Sequence, residues 1–460
     1  MKVMKERNEP TMPVIAAGVL ELYEQAVPES FFRQLLQDAG LTARSRIFSR
    51  PLVIWLMIWQ RLDPKATLSA AVQQVAQLRP ATLLSAHKRI RENTVSCHTG
   101  AYSDARKAMP LIVVEKVADR LLDHLLLQRR EALPGWSRRV FVLDGTTVET
   151  PHTPELVKAY PPALNQHGQS HWPVVLLLVA EELTTSLAQR PCWGPKYGPA
   201  AVSEQKLTER VLERLPPASA IMGDINFGVF SVAFAATQRG HDVLLRLQPS
   251  RALALLRGVP PGSAIDRPLW WRPSLHDRKH HPGLPADACV RGRIIKQQVT
   301  ASNGVTMTLY FFTTLQLPLD QILQLYGQRW NIETDFRSLK QTLDLQMLRC
   351  LSVDMVAKEL VLAIAAYNLV RAVMDAAAQQ NNLDPRQLSF SRSQDVVNAA
   401  LPGLDAAATP AEYQARLSRM LRLIASCKLP NRPHRPAVPR HVWGHSCKFP
   451  RRKAGLQKNN

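Results

Sequence analysis

The spacing of apolar positions separates a helical N-terminal region from a mixed region that follows it. From about residue 14 to residue 130, apolar residues recur at helical intervals, and the run after Pro51 is apolar on nearly all sides. Beyond residue 134, short apolar runs alternate with amphipathic ones, a pattern typical of strands that alternate with helices. This pattern predicts an α/β fold: a helical domain over residues 1–133, followed by a sheet with parallel strand pairs.

Two runs of the predicted sheet carry an aspartate where the apolar stretch stops. V-F-V-L-D-G indicates a buried strand that ends at Asp144 in a glycine turn, and A-I-M-G-D indicates a second strand that ends at Asp224. Between them, Ser203 is predicted to cap an amphipathic helix. One such aspartate is more often a turn-forming or capping residue. Two of them favour a site, because ligands gather at the carboxyl ends of parallel strands.

The sheet domain is predicted in two parts, residues 134–248 and 309–380, on either side of an insertion. Residues 249–308 are rich in proline and contain short alternating runs, which predict a largely β segment. Trp270 and Trp271 stand side by side within it.

The end of the chain combines a helical segment with a basic tail, residues 381–460. A long apolar run from Met355 to Met374 predicts a buried helix before it, and helical signals then thin out towards residue 426. The tail from Lys428 onwards has many arginines, lysines and prolines and no acid. It is predicted to be a phosphate-binding arm, with an accidental basic end as the alternative.

A polar stripe distinguishes L-Y-G-Q-R-W-N-I-E-T-D-F-R-S-L-K, residues 325–340. Wound as one α-helix, it brings four polar side chains within roughly 60° of one another; these are Tyr326, Arg329, Glu333 and Lys340. An apolar stripe runs beside them and contains Ile332, Phe336, Leu339 and Leu343. A salt-bridged, solvated face is the commoner explanation, but a carboxylate at the border of a core also suits a cleft.

The charge balance favours a polyanionic partner. Lys and Arg number 58 against 37 acids, which gives a net charge of +21 and a pI near 10.1. Nucleic acid is the usual partner of such a chain. The N-terminal residues lack the apolar core of a signal peptide, and the longest apolar run, Val174 to Ala180, is far short of the ~20 residues of a spanning helix. We expect a soluble, cytoplasmic protein.

The cysteines give no sign of a structural metal or of a disulfide framework. All six are scattered without a C-x-x-C pair. The closest approach to a metal cluster is in the tail, and its spacing fits no zinc pattern; it comprises His434, His441, His445 and Cys447.

Three sequence motifs together resemble those of a known family. The spacing Tyr-x2-Arg-x3-Glu-x6-Lys over residues 326–340 resembles the signature of bacterial insertion-sequence DDE transposases of the insertion-sequence-four group. V-L-D-G-T and G-D-I-N-F are similar to that family's two aspartate motifs. The S-E that opens the helix after residue 202, the A-Y-N-L-V-R run and the basic tail fit as well, so the resemblance covers most of the chain.

The resemblance implies a catalytic triad of Asp144, Asp224 and Glu333. DDE chemistry is phosphoryl transfer at DNA with two Mg²⁺ ions, for which Mn²⁺ can substitute. Carboxylate oxygens suit these hard cations, and Asp144 is expected to bridge both ions while the other two acids each complete one. Three further residues of the signature are expected to bind DNA phosphates; these are Tyr326, Arg329 and Lys340.

The resemblance also implies a fold and partners. The expected fold is a ribonuclease-H-like core with a β-rich insertion, preceded by a helical DNA-binding domain. The expected partners are double-stranded DNA, as transposon ends and target, and a second copy of the chain in a synaptic dimer that passes through a hairpin intermediate. In the insertion, Trp270 or Trp271 is a candidate for stacking on a flipped base, with core packing as the alternative.

One departure from the family pattern and two other functions remain in view. Ile225 and Asn226 occupy a place where family members often have a basic residue, which weakens a DNA contact and leaves the metal site intact. A catalytically inactive DNA-binding regulator and a ribonuclease-H-like nuclease without joining activity are the alternatives. The presence of all three acids argues against a decayed enzyme.

Overall fold

The structure is a computed structural model that covers most of the chain. It describes residues 16–41, 46–63, 66–127, 138–165, 168–257, 264–300, 306–330, 332 and 348–429. The predicted domain boundary at residues 133 and 134 and most of the basic tail lie outside these ranges, so both stay predictions.

The N-terminal region is helical, as predicted. Pro51 occupies the first turn of α3, where its missing N–H costs nothing, and the Thr67 side chain accepts a hydrogen bond from the N–H of Ala70 to cap α4. The helices are α1 (Val19–Ala26), α2 (Glu29–Asp38), α3 (Arg50–Leu62), α4 (Leu68–Ala76), α5 (Lys88–Arg91), α6 (Gly100–Lys107) and α7 (Leu111–Leu127).

Regularly placed basic residues on the helices of this region are compatible with a helix-turn-helix, but α5 and α6 do not form one. α5 is a single turn, and residues 92–99 separate it from α6, whereas the motif joins its helices by about three to four residues. Lys88, Arg89 and Arg91 are nevertheless exposed on α5, so they remain available to phosphates.

A nine-stranded mixed sheet forms the centre of the described chain. Its strands are β1 (Val140–Glu149), β2 (Pro162–Asn165), β3 (Gly168–Glu182), β4 (Cys192–Pro195), β5 (Ala220–Gly223), β6 (Asp242–Arg246), β7 (Ile265–Trp271), β8 (Val290–Thr300) and β9 (Thr306–Thr313). The order is β2-β3-β1-β5-β6-β9-β8-β7, and β4 pairs with the second half of β3. The antiparallel strands β4, β3 and β1 and the parallel strands β5 and β6 agree with the expected ribonuclease-H-like core.

Short helices connect the strands and cover the sheet. They are α8 (Pro154–Ala159), α9 (Glu204–Leu212), α10 (Phe230–Gln238), α11 (Pro249–Leu255), α12 (Leu275–His280) and α13 (Leu319–Gly327). Ser203 caps α9 as predicted, because its hydroxyl accepts a hydrogen bond from the N–H of Lys206.

The predicted insertion is β-rich, but its strands do not leave the sheet. β9 pairs with β6 on one side and with β8 along its whole length on the other, and β7 pairs with β8 at the edge. The residues of β9 that pair with β6 belong to the predicted second part of the sheet domain, and β8 and β7 of the insertion extend the sheet beyond them. The insertion therefore widens the central sheet.

The longest helix, α14 (Val353–Gln380), holds the helical region and the sheet together. By length and composition alone it is apolar enough to cross a membrane, yet 94% of its most apolar window is buried inside the protein. It packs against α3 and α7. Its charged residues are also held: Glu359 pairs with Arg61 of α3 at 2.7 Å, and Lys358 donates to the carbonyl of Arg106.

The C-terminal segment is helical up to Ser426, as the sequence predicted. α15 (Phe390–Asp405) and α16 (Pro410–Ser426) are both capped by side chains, from Ser389 and Thr409. Tyr413 on α16 accepts a hydrogen bond from the N–H of Gly18 at 3.1 Å. The two ends of the described chain therefore meet beside α1.

We predict that Asn368→Ala destabilises the protein by about 2–4 kcal/mol, because it leaves two buried backbone groups unpaired. The side chain of Asn368 accepts from the N–H of Ala188 at 2.8 Å and donates to its carbonyl at 2.7 Å. Urea unfolding measures the loss. Gln380→Ala, at the exposed last residue of the same helix, should stay within about 0.5 kcal/mol, and an equally small loss for Asn368→Ala would contradict this account.

Candidate active site

Parallel pairing places Asp144 and Asp224 at the same level of the sheet. β1 and β5 pair with Val140 opposite Ala220 and Val142 opposite Met222. Each aspartate lies two residues beyond that last pair, so the same offset aligns them on neighbouring strands. Both side chains are partly buried.

Asp144 does not end its strand, which corrects the sequence prediction. β1 continues to Glu149 because it pairs with β3 throughout, with Asp144 opposite Val179. The glycine after Asp144 therefore has another cause than a turn. A Cβ on Gly145 would lie 2.6 Å from Cγ of Glu204 and closer still to its carboxylate, so the absence of a side chain makes room for Glu204.

Asp224 does end its strand, and a tight turn orients it. The N–H of Asn226 donates to Oδ1 of Asp224 at 2.8 Å. Phe227 is buried beneath the turn. A Cβ on Gly228 would lie 3.0 Å from the carbonyl carbon of Arg246 and closer still to its oxygen. The N-F-G run after Asp224 is thus the shape that lets the chain return against β6.

The carboxylates at this edge interact electrostatically. Burial raises the pKa of Asp144 to about 7. The N–H of Gly145, which donates to Oδ1 of Asp144 at 2.9 Å, lowers that pKa. The charges of Asp224 and Glu204 raise it, and that of Arg329 lowers it. Burial also raises the pKa of Glu204, as does Asp224, whereas Lys196 and the Asn226 side chain lower it. Burial is thus the largest cause of both shifts, and the charge of Asp224 adds to each of them.

Tyr326 and Arg329 lie next to this edge, although a helix break separates them. α13 ends at Gly327, and Gln328–Trp330 is a 3₁₀ turn, so residues 325–330 do not belong to the single α-helix that the sequence predicted. The spacing of three residues still brings the two side chains together, with the Arg329 guanidinium 6.0 Å from the Tyr326 ring centroid. Both side chains belong to residues that are only 7% exposed.

The Tyr326 ring lies near basic and acidic residues of the sheet edge. It packs on Phe311 of β9 with ring centroids 4.6 Å apart. Burial raises the pKa of Tyr326, the positive charges of Arg329 and Arg246 lower it, and Asp224 raises it. Tyr326 and Arg329 therefore both interact electrostatically with the aspartates, Tyr326 with Asp224 and Arg329 with Asp144. Their role in binding DNA stays a prediction.

Glu333 and Lys340 lie outside the described residues, so their assignments stay predictions. Ile332, immediately before Glu333, is described and buried in the core. This burial agrees with the predicted apolar stripe.

The two tryptophans of the insertion have different environments. Trp271 is 2% exposed and packs on Phe312 with ring centroids 4.8 Å apart. A buried indole presents no face to a base, so Trp271 is a core residue and its assignment to DNA binding is corrected. Trp270 is 60% exposed, and the Arg291 guanidinium lies 4.8 Å from its ring centroid. The core-packing interpretation is thus wrong for Trp270, which alone of the pair is accessible.

Sequence reasoning missed two residues of this edge. Glu204 was noted only as part of the S-E that opens α9, and its contact with Gly145 depends on tertiary structure. Arg246 is the last residue of β6, one position beyond the pair of Gly223 and Leu245, which puts it level with Asp224. The rule that identified the aspartates, which looks at the carboxyl ends of parallel strands, also applies to Arg246.

Carboxylate oxygens, which Asp144 and Asp224 place at this edge, are the donors that a hard divalent cation prefers. Asp144 and Asp224 supply carboxylate oxygens, and their mutual repulsion would be relieved by a cation. Among the residues that the structure describes, no three His, Cys, Asp or Glu side chains are arranged to hold a metal ion. The predicted third ligand lies outside them, so the described part of the site supplies two of the three expected acids.

Comparisons with known proteins identify a family and two similar proteins. Residues 135–369 match the family model described as the transposase DDE domain. The chain is similar to the transposase InsG of insertion sequence element IS4 from Escherichia coli K12, with 26% identity over 92% of this chain and 91% of that protein. It also aligns with a piggyBac transposase from a synaptic complex with hairpin DNA, over 92% of this chain and 87% of that one, at 11% identity and a TM-score of 0.39.

We predict that Gly228→Ala destabilises the protein by about 1–3 kcal/mol, since the new Cβ collides with backbone that cannot rotate away. Thermal or urea unfolding measures the change. Gly283→Ala is the matched control, because a Cβ there meets nothing within 4 Å. Equal stabilities of the two variants would contradict the turn geometry described for Asp224.

We predict that Asp144→Asn stabilises the metal-free protein at pH 8 and not near pH 4. A folded-state pKa of about 7, above the ordinary 3.8, means that the native chain binds this proton more tightly than the unfolded chain. The free energy of unfolding therefore falls as pH rises from about 4 to about 7, by up to about 4 kcal/mol, and the variant lacks that fall. Unfolding in EDTA at several pH values tests this, with the exposed Asp287→Asn as control; parallel pH profiles for Asp144→Asn and wild type would refute it.

Proposed function

The chain belongs to the DDE transposase family, and we propose that it is an active enzyme that cleaves and joins DNA at the ends of an insertion sequence. The proposed chemistry is metal-dependent phosphoryl transfer on a cut-and-paste route in the bacterial cytoplasm. One observation carries the proposal: Asp144 and Asp224 lie level on adjacent parallel strands, beside the signature residues Tyr326 and Arg329.

The acids are proposed to hold Mg²⁺, for which Mn²⁺ can substitute. Asp144 lies on the central strand between β3 and β5, so it is the best placed to bridge two ions, while Asp224 and Glu333 would each complete one. When bound, the ions activate the attacking oxygen and neutralise charge on the leaving oxygen. The hydrogen bonds from Gly145 and Asn226 leave the second oxygen of each aspartate available.

The basic and phenolic residues are proposed to hold the scissile phosphate. Arg329 already neutralises part of the charge on Asp144, so once a cation takes over that role the guanidinium can bind a phosphate through charge-assisted hydrogen bonds. Tyr326 can donate its hydroxyl to the same phosphate, and Lys340 is proposed to bind the backbone nearby. In this arrangement Arg329 offsets the charge of Asp144 when no cation is bound, and the charge of a phosphate when cation and DNA are bound.

DNA is proposed to extend beyond this edge. A net charge of +21 favours a long phosphate track, and the exposed Lys88, Arg89 and Arg91 of α5 supply part of it on the helical domain. Trp270, exposed beside Arg291, suits stacking on an unpaired base. The full substrate is proposed to be two transposon ends, with hairpin intermediates, held by a homodimer in a synaptic complex.

The direct test incubates the protein with Mg²⁺ and DNA that carries the inverted repeats flanking its gene. We expect nicking and strand joining by wild type and by Asp287→Asn. Asp144→Asn and Glu333→Gln should lose more than the roughly 100-fold that is typical for residues behind metal ligands. Gel analysis of nicked, hairpin and joined products measures each step.

The other two functions make different predictions in this assay. A regulator would bind these ends without nicking them, and a nuclease would nick without joining. If Glu333→Gln cuts as well as wild type, the assignment of the third acid is wrong even though the protein is an enzyme.

A further inference from the structure

Glu204 contacts both residues that orient the catalytic aspartates. We infer that Glu204 is a positioning residue, which fixes the separation of the Asp144 and Asp224 carboxylates and thereby the affinity of the site for divalent cations. This inference rests on the proposed function.

The first contact is with the backbone next to Asp144. The Glu204 side chain fills the space beside Gly145 that a Cβ would need. The N–H of this glycine donates to Oδ1 of Asp144 at 2.9 Å. Glu204 therefore packs on the peptide that sets the orientation of the Asp144 carboxylate, and only glycine permits so close an approach.

The second contact is with the turn after Asp224. Oε2 of Glu204 accepts a hydrogen bond from Nδ2 of Asn226 at 3.5 Å, and Nε2 of Gln205 donates to the Asn226 carbonyl at 2.7 Å. The N–H of Asn226 in turn donates to Oδ1 of Asp224 at 2.8 Å. The first turn of α9 thus holds Asn226 by its side chain and by its backbone.

The helix that carries Glu204 is itself fixed. Ser203 caps it, and the hydroxyl of Thr208 donates to the carbonyl of Glu204 at 2.9 Å. Leu207 and Val211 are buried in the core. Because α9 cannot shift without exposing these apolar side chains, it is a rigid reference for both aspartates.

A simpler role has to be separated from this one. A carboxylate in the first turn of a helix interacts favourably with the helix dipole wherever it stands. That role would stabilise α9 and would leave cation binding unchanged. Metal-free unfolding distinguishes that role, because it would lower stability without changing cation affinity. Glu209 carries the same charge on the same helix, beyond its first turn and exposed, so it controls for the loss of a negative charge from α9.

The experiment measures Mn²⁺ affinity by electron paramagnetic resonance of the free ion, on the full chain without DNA. We expect Glu204→Ala to weaken binding by about 10–100-fold. Glu204→Gln should restore most of the affinity, since its amide oxygen keeps both the bond from Asn226 and the packing on Gly145. Glu209→Gln should bind as wild type does. Gly145→Ala, which displaces the Glu204 carboxylate without removing it, should lose affinity like Glu204→Ala.

Each outcome decides between the positioning role of Glu204 and an effect of its charge or of the helix dipole. Wild-type affinity of Glu204→Ala or of Gly145→Ala overturns the inference. A Glu204→Gln protein no better than Glu204→Ala also overturns it, because the charge and not the geometry would then matter. Asp144→Asn distinguishes failure of the proposed metal site from failure of the role of Glu204. If Asp144→Asn binds Mn²⁺ as wild type does, the proposed metal site is wrong. If Asp144→Asn loses affinity and the Glu204 and Gly145 variants do not, only the role of Glu204 is wrong. Unfolding midpoints without metal check that the variants fold.

Discussion

The register of the parallel strands β1, β5 and β6 is the constraint on which the rest of the site depends. Its fixed offset sets Asp144 level with Asp224, and the next pairing sets Asp224 level with Arg246. A slip of one residue would turn each side chain to the other face of the sheet. The residues before each aspartate, such as Phe141 and Ile221, are fully buried, so such a slip would require the core on both faces of these strands to repack.

The burial of Asp144 beside other acids makes its ionised form costly, and this cost favours the binding of a cation. Burial and neighbouring acids raise the pKa of Asp144 to about 7. Without a cation, the ionised carboxylate is therefore less stable in the folded chain than in the unfolded one. A bound divalent cation would remove that cost and would displace the proton. The strongly basic chain around the site then favours a polyanion at the same edge. On the proposed function, the site is therefore more stable with a cation and DNA bound than in the isolated chain.

The sequence predicted what local periodicity encodes, and contacts between distant segments limited the rest. Apolar runs identified the strands of Asp144 and Asp224, and Ser203 identified the start of α9. The same pattern could not reveal that β1 continues past Asp144, because that depends on pairing with β3. It could not explain Gly145, whose neighbour Glu204 is distant in sequence. Nor could it distinguish Trp270 from Trp271, since alternation along β7 puts one outward and one into the core.

The most direct test of the central claim is a crystal structure of the protein soaked with Mn²⁺, with the ion located by its anomalous scattering. Our account predicts an anomalous peak at the carboxyl edge of β1 and β5, with oxygen atoms of both Asp144 and Asp224 about 2.0–2.3 Å from the metal. Mn²⁺ bound elsewhere, with both carboxylates free of it, would contradict the account.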